Sequence, residues 1–524
     1  MPNRQKDDLF QLIKSLGKGE KRNLKLYVQR NSGNTELKVL QLFDALDHLD
    51  EYDEGLLLRK QTTITKQQLS NLKASLYRHI LTSLRLLKDD DNVEQALNEQ
   101  MDYARILYHK GLYLQSLKLL ERLKLMARHY HQLTHLLQVL FFEKKIETLY
   151  ITRSMDARAD QLADESGEVL ARLNTVNALS NLSLQLYSWY IKNGHARNAA
   201  DEQAIATYFK NHLPSCLQTQ PPQGFYERLY FFQSHCWLAF INQDYLNYYR
   251  YAQRWVSLFD DEPHMKLVEN IQYIKGMHNL LGAHYDLKNA KQFFNTLATF
   301  ETFWQSTAVQ QNDNYRIQAF VYLYTSKIHR HFLEGTFTEG LNLLPELEGL
   351  LKMNALYIDE HRVLVFYYKI ACLYFGSGRN GNAIDYLNRI INHKSDLRTD
   401  LQCYARLLHL IAHYELGNYD LLSYLIKSVY RFMAKLQNLS LVEEAMFAFL
   451  RAAFSLNTSQ IKPRLEGLLE RLKQLESTTS ETRAFAYLDV ISWLESKIAG
   501  VAVEQVIRNK YLLGKRRPSA QPAP

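Results

Sequence analysis

Chemistry in this 524-residue chain would have to come from its histidines, its carboxylates, one glycine-rich hexapeptide or its basic ends. His131 and His135 stand four apart, with His129 beside them, and His409 and His413 repeat that spacing. Two imidazoles at i and i+4 share a helix face and can hold zinc when a third ligand joins them. Neither pair sits in His-Glu-x-x-His, no acidic residue follows at a telling distance, and 18 histidines produce such pairs by chance. No metal is expected there. His329 and His331 point to different faces. Gly376-Ser377-Gly378-Arg379-Asn380-Gly381 fits Gly-x-Gly-x-x-Gly, which cradles a dinucleotide when it directly follows a strand. Here Leu364 to Phe375 reads as a helix, so the glycines are expected to form a turn and no cofactor is expected. P-loop, Gly-x-Ser-x-Gly and kinase-type motifs are missing from the sequence. Glu443 and Glu444 read as a solvated face. The chain is therefore read as non-enzymatic with no small-molecule substrate implied. An enzyme with dispersed catalytic residues stays open as a third reading, which a deep pocket of converging histidines and carboxylates would favour.

The second source of chemistry is charge. Residues 1–88 carry 16 Lys/Arg against 10 Asp/Glu, and residues 501–524 carry 5 against 1, within a net charge of +8. The body is close to neutral. Lys18, Lys21, Arg22 and Lys25 cluster at the start of one helical stretch, and Lys66, Asn71 and Lys73 decorate another. A recognition helix puts such residues into a DNA groove while its apolar face docks on its own domain. The alternative is a cap that covers the first apolar face of a stacked array.

These residues must be positioned by helices. Only 20 Gly and 10 Pro occur, under half the usual share of about 12%, which leaves too few turn residues for a β-rich or α/β fold. With 46% hydrophobic and 23% charged residues, the composition is globular. Apolar residues recur at three- and four-residue steps throughout, as in Met101, Ala104, Leu107 and Tyr108, then Leu114, Leu117, Leu120 and Leu123. Turn signals fall near Gly111, Met155, Gly194, Gln243, Asp286, Gly335, Gly378, Gly417 and Asn457. Their spacing of roughly 43 residues lies in the range of helical-repeat arrays. Cys216, Cys236, Cys372 and Cys403 form no Cys-x-x-Cys pair and read as buried free thiols. The polar Leu173–Ile191 stretch cannot span a bilayer, and the start MPNRQKDDLF carries no apolar signal run. A cytoplasmic protein without a membrane partner is expected.

The segment YYKIACLYFGSGRNGNAIDYLNRI, residues 367–390, alternates aromatic and small residues around a glycine turn. In this it resembles the tetratricopeptide repeat, as KGLYLQSLKLLERL does after Tyr103 and Ala104. The opening of the chain is similar to that of a family of uncharacterised bacterial helical proteins, which brings no known activity. The tetratricopeptide resemblance implies that the first helix of each unit lines a concave groove. That would place Met101, Arg105 and Tyr108 in the groove from one unit, and Tyr368, Cys372 and Phe375 from another.

The expected fold is thus all-α: a helical-hairpin (tetratricopeptide-like) solenoid with a small helical N-terminal domain. Its expected divisions are residues 1–88, a solenoid of nine to ten hairpins over 89–513, and a disordered basic tail over 514–524. Thr65 with Gln68, and Thr478 with Glu481, read as capping boxes. The expected function is a scaffold or adaptor holding a peptide or helix of another protein in the groove. The alternative is a regulator that binds nucleic acid through residues 1–88.

Overall fold

The computed structural model describes residues 7–30, 34–60, 64–87, 92–150, 157–196, 199–218, 221–355, 357–393, 399–435, 441–452, 458–476 and 489–516. The described residues are helical with no strand. They divide into two compact units, Met1–Ala96 and Leu97–Pro524. The division lies at Ala96 rather than at Lys88. The acidic break at 88–91, the Thr478/Glu481 box and residues 517–524 lie outside the described residues.

The first unit contains α1 (Asp8–Ser15), α2 (Lys18–Arg30), α3 (Asn34–Asp47), α4 (Glu54–Lys60) and α5 (Lys66–Arg85). Ile13, Leu24, Leu42, Phe43, Leu76 and Ile80 form its core. Asp7 caps α1 by accepting the Phe10 N–H at 2.9 Å. Its second oxygen takes Lys73 Nζ at 2.7 Å, which ties α1 to α5. Thr65 does sit at the N-cap of α5, but its hydroxyl makes no cap bond. The Gln68 N–H bonds the Thr65 carbonyl instead, so the expected box does not close.

The second unit continues from within α6 (Val93–His109) as helical hairpins in chain order. They begin with α7 (Tyr113–His129), α8 (Leu133–Tyr150), α9 (Arg158–Asn193) and α10 (Ala199–His212). Next come α11 (Phe225–Ile241), α12 (Tyr245–Asp261), α13 (Met265–Val268), α14 (Asn270–Asp286), α15 (Ala290–Trp304) and α16 (Thr307–Gln310). Then follow α17 (Asp313–Glu334), α18 (Phe337–Gly340), α19 (Leu344–Met353), α20 (Glu360–Gly376), α21 (Asn380–Ile391), α22 (Thr399–Glu415) and α23 (Tyr419–Lys435). The last are α24 (Leu441–Ala452), α25 (Thr458–Glu476), α26 (Val490–Ala499) and α27 (Val503–Arg516). Each hairpin packs on its neighbours in chain order, which makes the unit a helical-hairpin solenoid. Its apolar faces merge into long buried clusters, one spanning Phe225 to Leu323 and another Ile317 to Leu494.

One turn recurs along the array. At Gly111 the glycine N–H bonds the Tyr108 carbonyl and the Leu112 N–H bonds the Leu107 carbonyl. The same pair closes the turns at Gln243, Lys288, Gly378 and Gly417. These are Schellman turns, in which one left-handed residue satisfies the last helical carbonyls. The left-handed position is Gly111, Gly378 or Gly417 at three of these turns and Gln243 or Lys288 at two. Gly194 and Gly335, also at positive φ, end α9 and α17 with the glycine N–H on the Tyr190 and His331 carbonyls. The turn expected near Asp286 therefore centres on Lys288. Those expected at Met155 and Asn457 lie outside the described residues. A further left-handed residue, His131, turns the chain between α7 and α8.

The glycine-rich hexapeptide is such a turn. Gly376 ends α20 where a Cβ would come within 2.2 Å of the Phe337 ring, and Gly378 is the left-handed residue. Residues 514–516, expected in a disordered tail, continue α27. Glu443, expected on a solvated face, is buried, whereas Glu444 is exposed.

Candidate functional site

The first helices of successive hairpins, α11, α14, α17 and α20, together with the end of α9, line one cavity of about 1880 Å³. Residues of α26 and α27 line it as well. These C-terminal helices are anchored far back in the chain. Glu504 accepts the Thr338 N–H at 3.0 Å and the Thr338 hydroxyl at 2.6 Å. Arg508 donates to the Glu334 carbonyl at 3.2 Å. Glu495 on α26 lies between Lys473 at 2.8 Å and Lys510 at 2.7 Å. Burial opposes its ionisation, but bonds to both lysines outweigh that and hold the carboxyl below its ordinary value.

The groove floor is built from pairs seven residues apart, two helical turns along one face. His278 and Tyr285 lie on α14, Tyr322 and His329 on α17, and Arg362 and Lys369 on α20. Because neighbouring hairpins stack in register, the pairs form two cross-groove rows. In the first, the His278 and Tyr322 rings stack at 4.2 Å. The Arg362 guanidinium lies over the Tyr322 ring at 5.1 Å and donates to its hydroxyl at 3.0 Å and to Gln318 Oε1 at 2.7 Å. In the second row, Tyr285 stacks on His329 at 4.2 Å, and Lys369 Nζ donates to His329 Nε2 at 2.5 Å. A third, amide row runs from Ser183 through Gln233 to Gln272.

This packing sets the protonation states. Burial, then the charges of Arg362 and Lys369, pushes the His278 imidazole down to about 3. Burial and Lys369 hold His329 well below its ordinary value. Both are neutral at pH 7. Burial, then Arg362, lowers the Lys275 ammonium. Burial pushes the Asp286 carboxyl up to about 7 against the pull of Lys288 and Lys369, so it carries only part of a negative charge at neutral pH. Around Lys275, Arg362 and Lys369 the wall is therefore positive. The bonds of Arg362 go to neutral partners. Among the described residues, neither His278 nor His329 bonds a hydroxyl, thiol or carboxylate.

Of the residues expected in the groove, Tyr368, Cys372 and Phe375 line the cavity and show only a small exposed edge, Cys372 being 8% exposed. Burial raises the Cys372 thiol to about 12. Met101, Arg105 and Tyr108 do not line it. Met101 is 3% exposed, because the α6 face that carries it with Leu97 and Ala104 is core. Arg105 pairs with Asp102 at 3.0 Å. Tyr108 packs among His109, Tyr113 and Phe142.

The expected nucleic-acid contacts separate into two groups. Lys21 pairs with Asp47 at 2.6 Å, Lys25 with Asp44 at 2.7 Å and Lys73 with Asp7. Lys18, Arg22, Lys66 and Asn71 are exposed. The first histidine pair also comes apart. His131 occupies a turn rather than a helix face, and His135 bonds Asn98 at 3.3 Å from α8. His409 and His413 stay together, 4.5 Å between centroids, and burial lowers both, His409 to about 4.

No family model and no curated protein matches this chain. The residues that carry the groove's charge, Lys275, Arg362, Lys369 and Asp286, were missed by sequence reading. For Arg362 and Lys369 the signal was the seven-residue spacing repeated on three successive first helices, whereas Lys275 and Asp286 stand outside that spacing. No helix among the described residues is long and apolar enough to cross a membrane.

Proposed function

We propose that the chain is a non-enzymatic interaction scaffold, and that its groove holds a peptide or helix of another protein. The observation that carries this reading is the positive wall. Lys275 and Arg362 are close enough to repel, and Arg362 spends its donors on a glutamine and a tyrosine. Glu269 offsets part of the Lys275 charge; a ligand carboxylate placed between the two cations would add counter-charge, and charge-assisted bonds of this kind fix a partner's register. The flanking aromatic edges of Tyr187, Trp237 and Tyr368 are of the residue types that anchor interfaces. Lining by first helices is what a tetratricopeptide-like repeat implies, so that repeat type belongs to the same proposal.

The groove gathers histidines and the carboxylates of Asp286, Asp489 and Glu495, as an enzyme's pocket would. The imidazoles of His278 and His329, however, are committed to stacking and to a lysine. Nucleophilic catalysis needs a base bonded to a nucleophile, and these two are not. The nucleic-acid reading loses support because Lys21, Lys25 and Lys73 are already neutralised within their own unit.

The test is affinity capture with full-length wild type and with Lys275→Glu/Arg362→Glu, in parallel with anisotropy of a mixed-sequence duplex DNA. The scaffold reading expects protein retained by wild type and lost by the double variant at unchanged far-UV circular dichroism. Retention indifferent to the charge reversal overturns the groove. DNA binding that is steep in salt and lost with Lys18→Glu/Arg22→Glu/Lys66→Glu would replace it with the regulator.

A further inference from the structure

His131, Glu262 and His264 meet outside the groove, where the α7–α8 turn approaches the end of α12. Each offers one ligand atom, and these atoms lie within 4.8 Å of one another. All three side chains are half-buried. His131 Nε2 bonds Glu262 Oε2. Two imidazoles and one carboxylate are a zinc ligand set that leaves a fourth position for water.

The surroundings point the same way. Ligating histidines donate their other ring N–H to a carbonyl or carboxylate, and ligating carboxylates are themselves hydrogen-bonded. His264 Nε2 lies 3.0 Å from the His129 carbonyl, so it carries the proton and Nδ1 keeps its lone pair. Glu262 Oε1 accepts from Arg228 at 2.6 Å, which leaves Oε2 for the cluster. The His264 ring stacks on His129 at 4.3 Å and the His131 ring lies over Phe225, 5.7 Å between centroids. His131 is held in a left-handed conformation by its turn, and Pro263 stiffens the link between the other two. The orienting contacts thus exist before any ion arrives.

We propose that His131, Glu262 and His264 form a zinc site that staples the α7–α8 turn to the end of α12. On binding, the ion takes the place of the proton between His131 Nε2 and Glu262 Oε2, and His131 ligates as the neutral imidazole with its one proton on Nδ1. Imidazoles with one carboxylate select zinc over calcium and magnesium.

The test uses the full chain, stripped with chelator and titrated with Zn²⁺ against a chromophoric competitor. One zinc per chain is expected, with a dissociation constant in the micromolar range or tighter. His264→Ala and Glu262→Gln should each weaken it at least about tenfold, whereas His409→Ala leaves it unchanged. Glu262→Gln keeps the shape and the Arg228 bond, so it stands if His264→Ala fails to fold. Co²⁺ in place of zinc should give the strong visible bands of a four-coordinate centre. Binding weaker than about 100 μM, or affinity indifferent to both substitutions, overturns the site and leaves only adventitious surface binding.

Discussion

Gly335→Ala should loosen the C-terminal helices from the groove. Gly335 ends α17 at φ +64°, and a Cβ there would meet Arg508 N at 2.4 Å and Arg508 Cα and Ile507 C at 2.9 Å. Those are backbone atoms of α27, so no side chain can swing aside. A left-handed residue with a Cβ costs about 1–2 kcal/mol relative to glycine. Overpacking against a fixed neighbour adds about 1–3 kcal/mol. Gly378→Ala is the control. Its φ is +79° and nothing lies within 4 Å of its Cβ, so it incurs only the first cost. The difference between the variants, about 1–3 kcal/mol, should fall on the docking of α27. It should appear as roughly 5- to 150-fold faster amide exchange across residues 503–516, because each 1.4 kcal/mol is a factor of ten. Native-state hydrogen exchange read by mass spectrometry measures this directly. If exchange in that segment stays within about twofold of the control, α27 does not line the groove as described.

Further outcomes are expected elsewhere. Lys124 is 2% exposed and bonds Glu143, also 2% exposed, at 2.7 Å. Glu143 keeps Arg158 at 3.2 Å as a second cation, so Lys124→Met should cost less than the roughly 3–5 kcal/mol of a wholly stranded carboxylate, and adding Arg158→Met should bring the loss into that range in thermal unfolding. Stability should also fall on acidification. His278, His284 and His409 are held near 3, 4 and 4 by burial, so between pH 6.5 and about 4 the unfolded chain binds protons that the fold refuses. Asp286, raised by burial to about 7, acts in the opposite sense: its contribution is lost as pH rises from about 4 to 7. Three groups outweigh one, so the thermal midpoint should drop from pH 6.5 to 4.5, and His409→Gln should flatten the slope. A midpoint that rises over that interval refutes the assignment.

The architecture was legible because it is written in short-range signals. A Schellman turn needs one left-handed residue, and glycine marks three of them, at 111, 378 and 417, while positive-φ glycines at 194 and 335 mark two more helix ends. His131 and Lys288 occupy the same position without glycine, which is why one turn was missed and the other misplaced by two residues. The α6 expectation failed for a related reason. Periodicity identifies the apolar stripe of a helix, but it does not say which side of the array that stripe faces, and Met101 faces the core.

The sites were less legible because they depend on register between hairpins. Arg362 reaches Tyr322 across 40 residues, and that match exists only once α17 and α20 are aligned. Unequal loops vary the offset along the chain, so no fixed period reveals the rows. The zinc ligands are harder still: His131 and Glu262 are 131 residues apart and belong to different hairpins. Part of the groove's lining depends on a helix that returns 174 residues to bond Glu334. In a solenoid local sequence specifies the unit, whereas chemistry arises where units meet. Charge reversal at Lys275 and Arg362, zinc titration at His131 and Glu262, and exchange across residues 503–516 each probe one such meeting point, and each can fail while the helices around it remain intact.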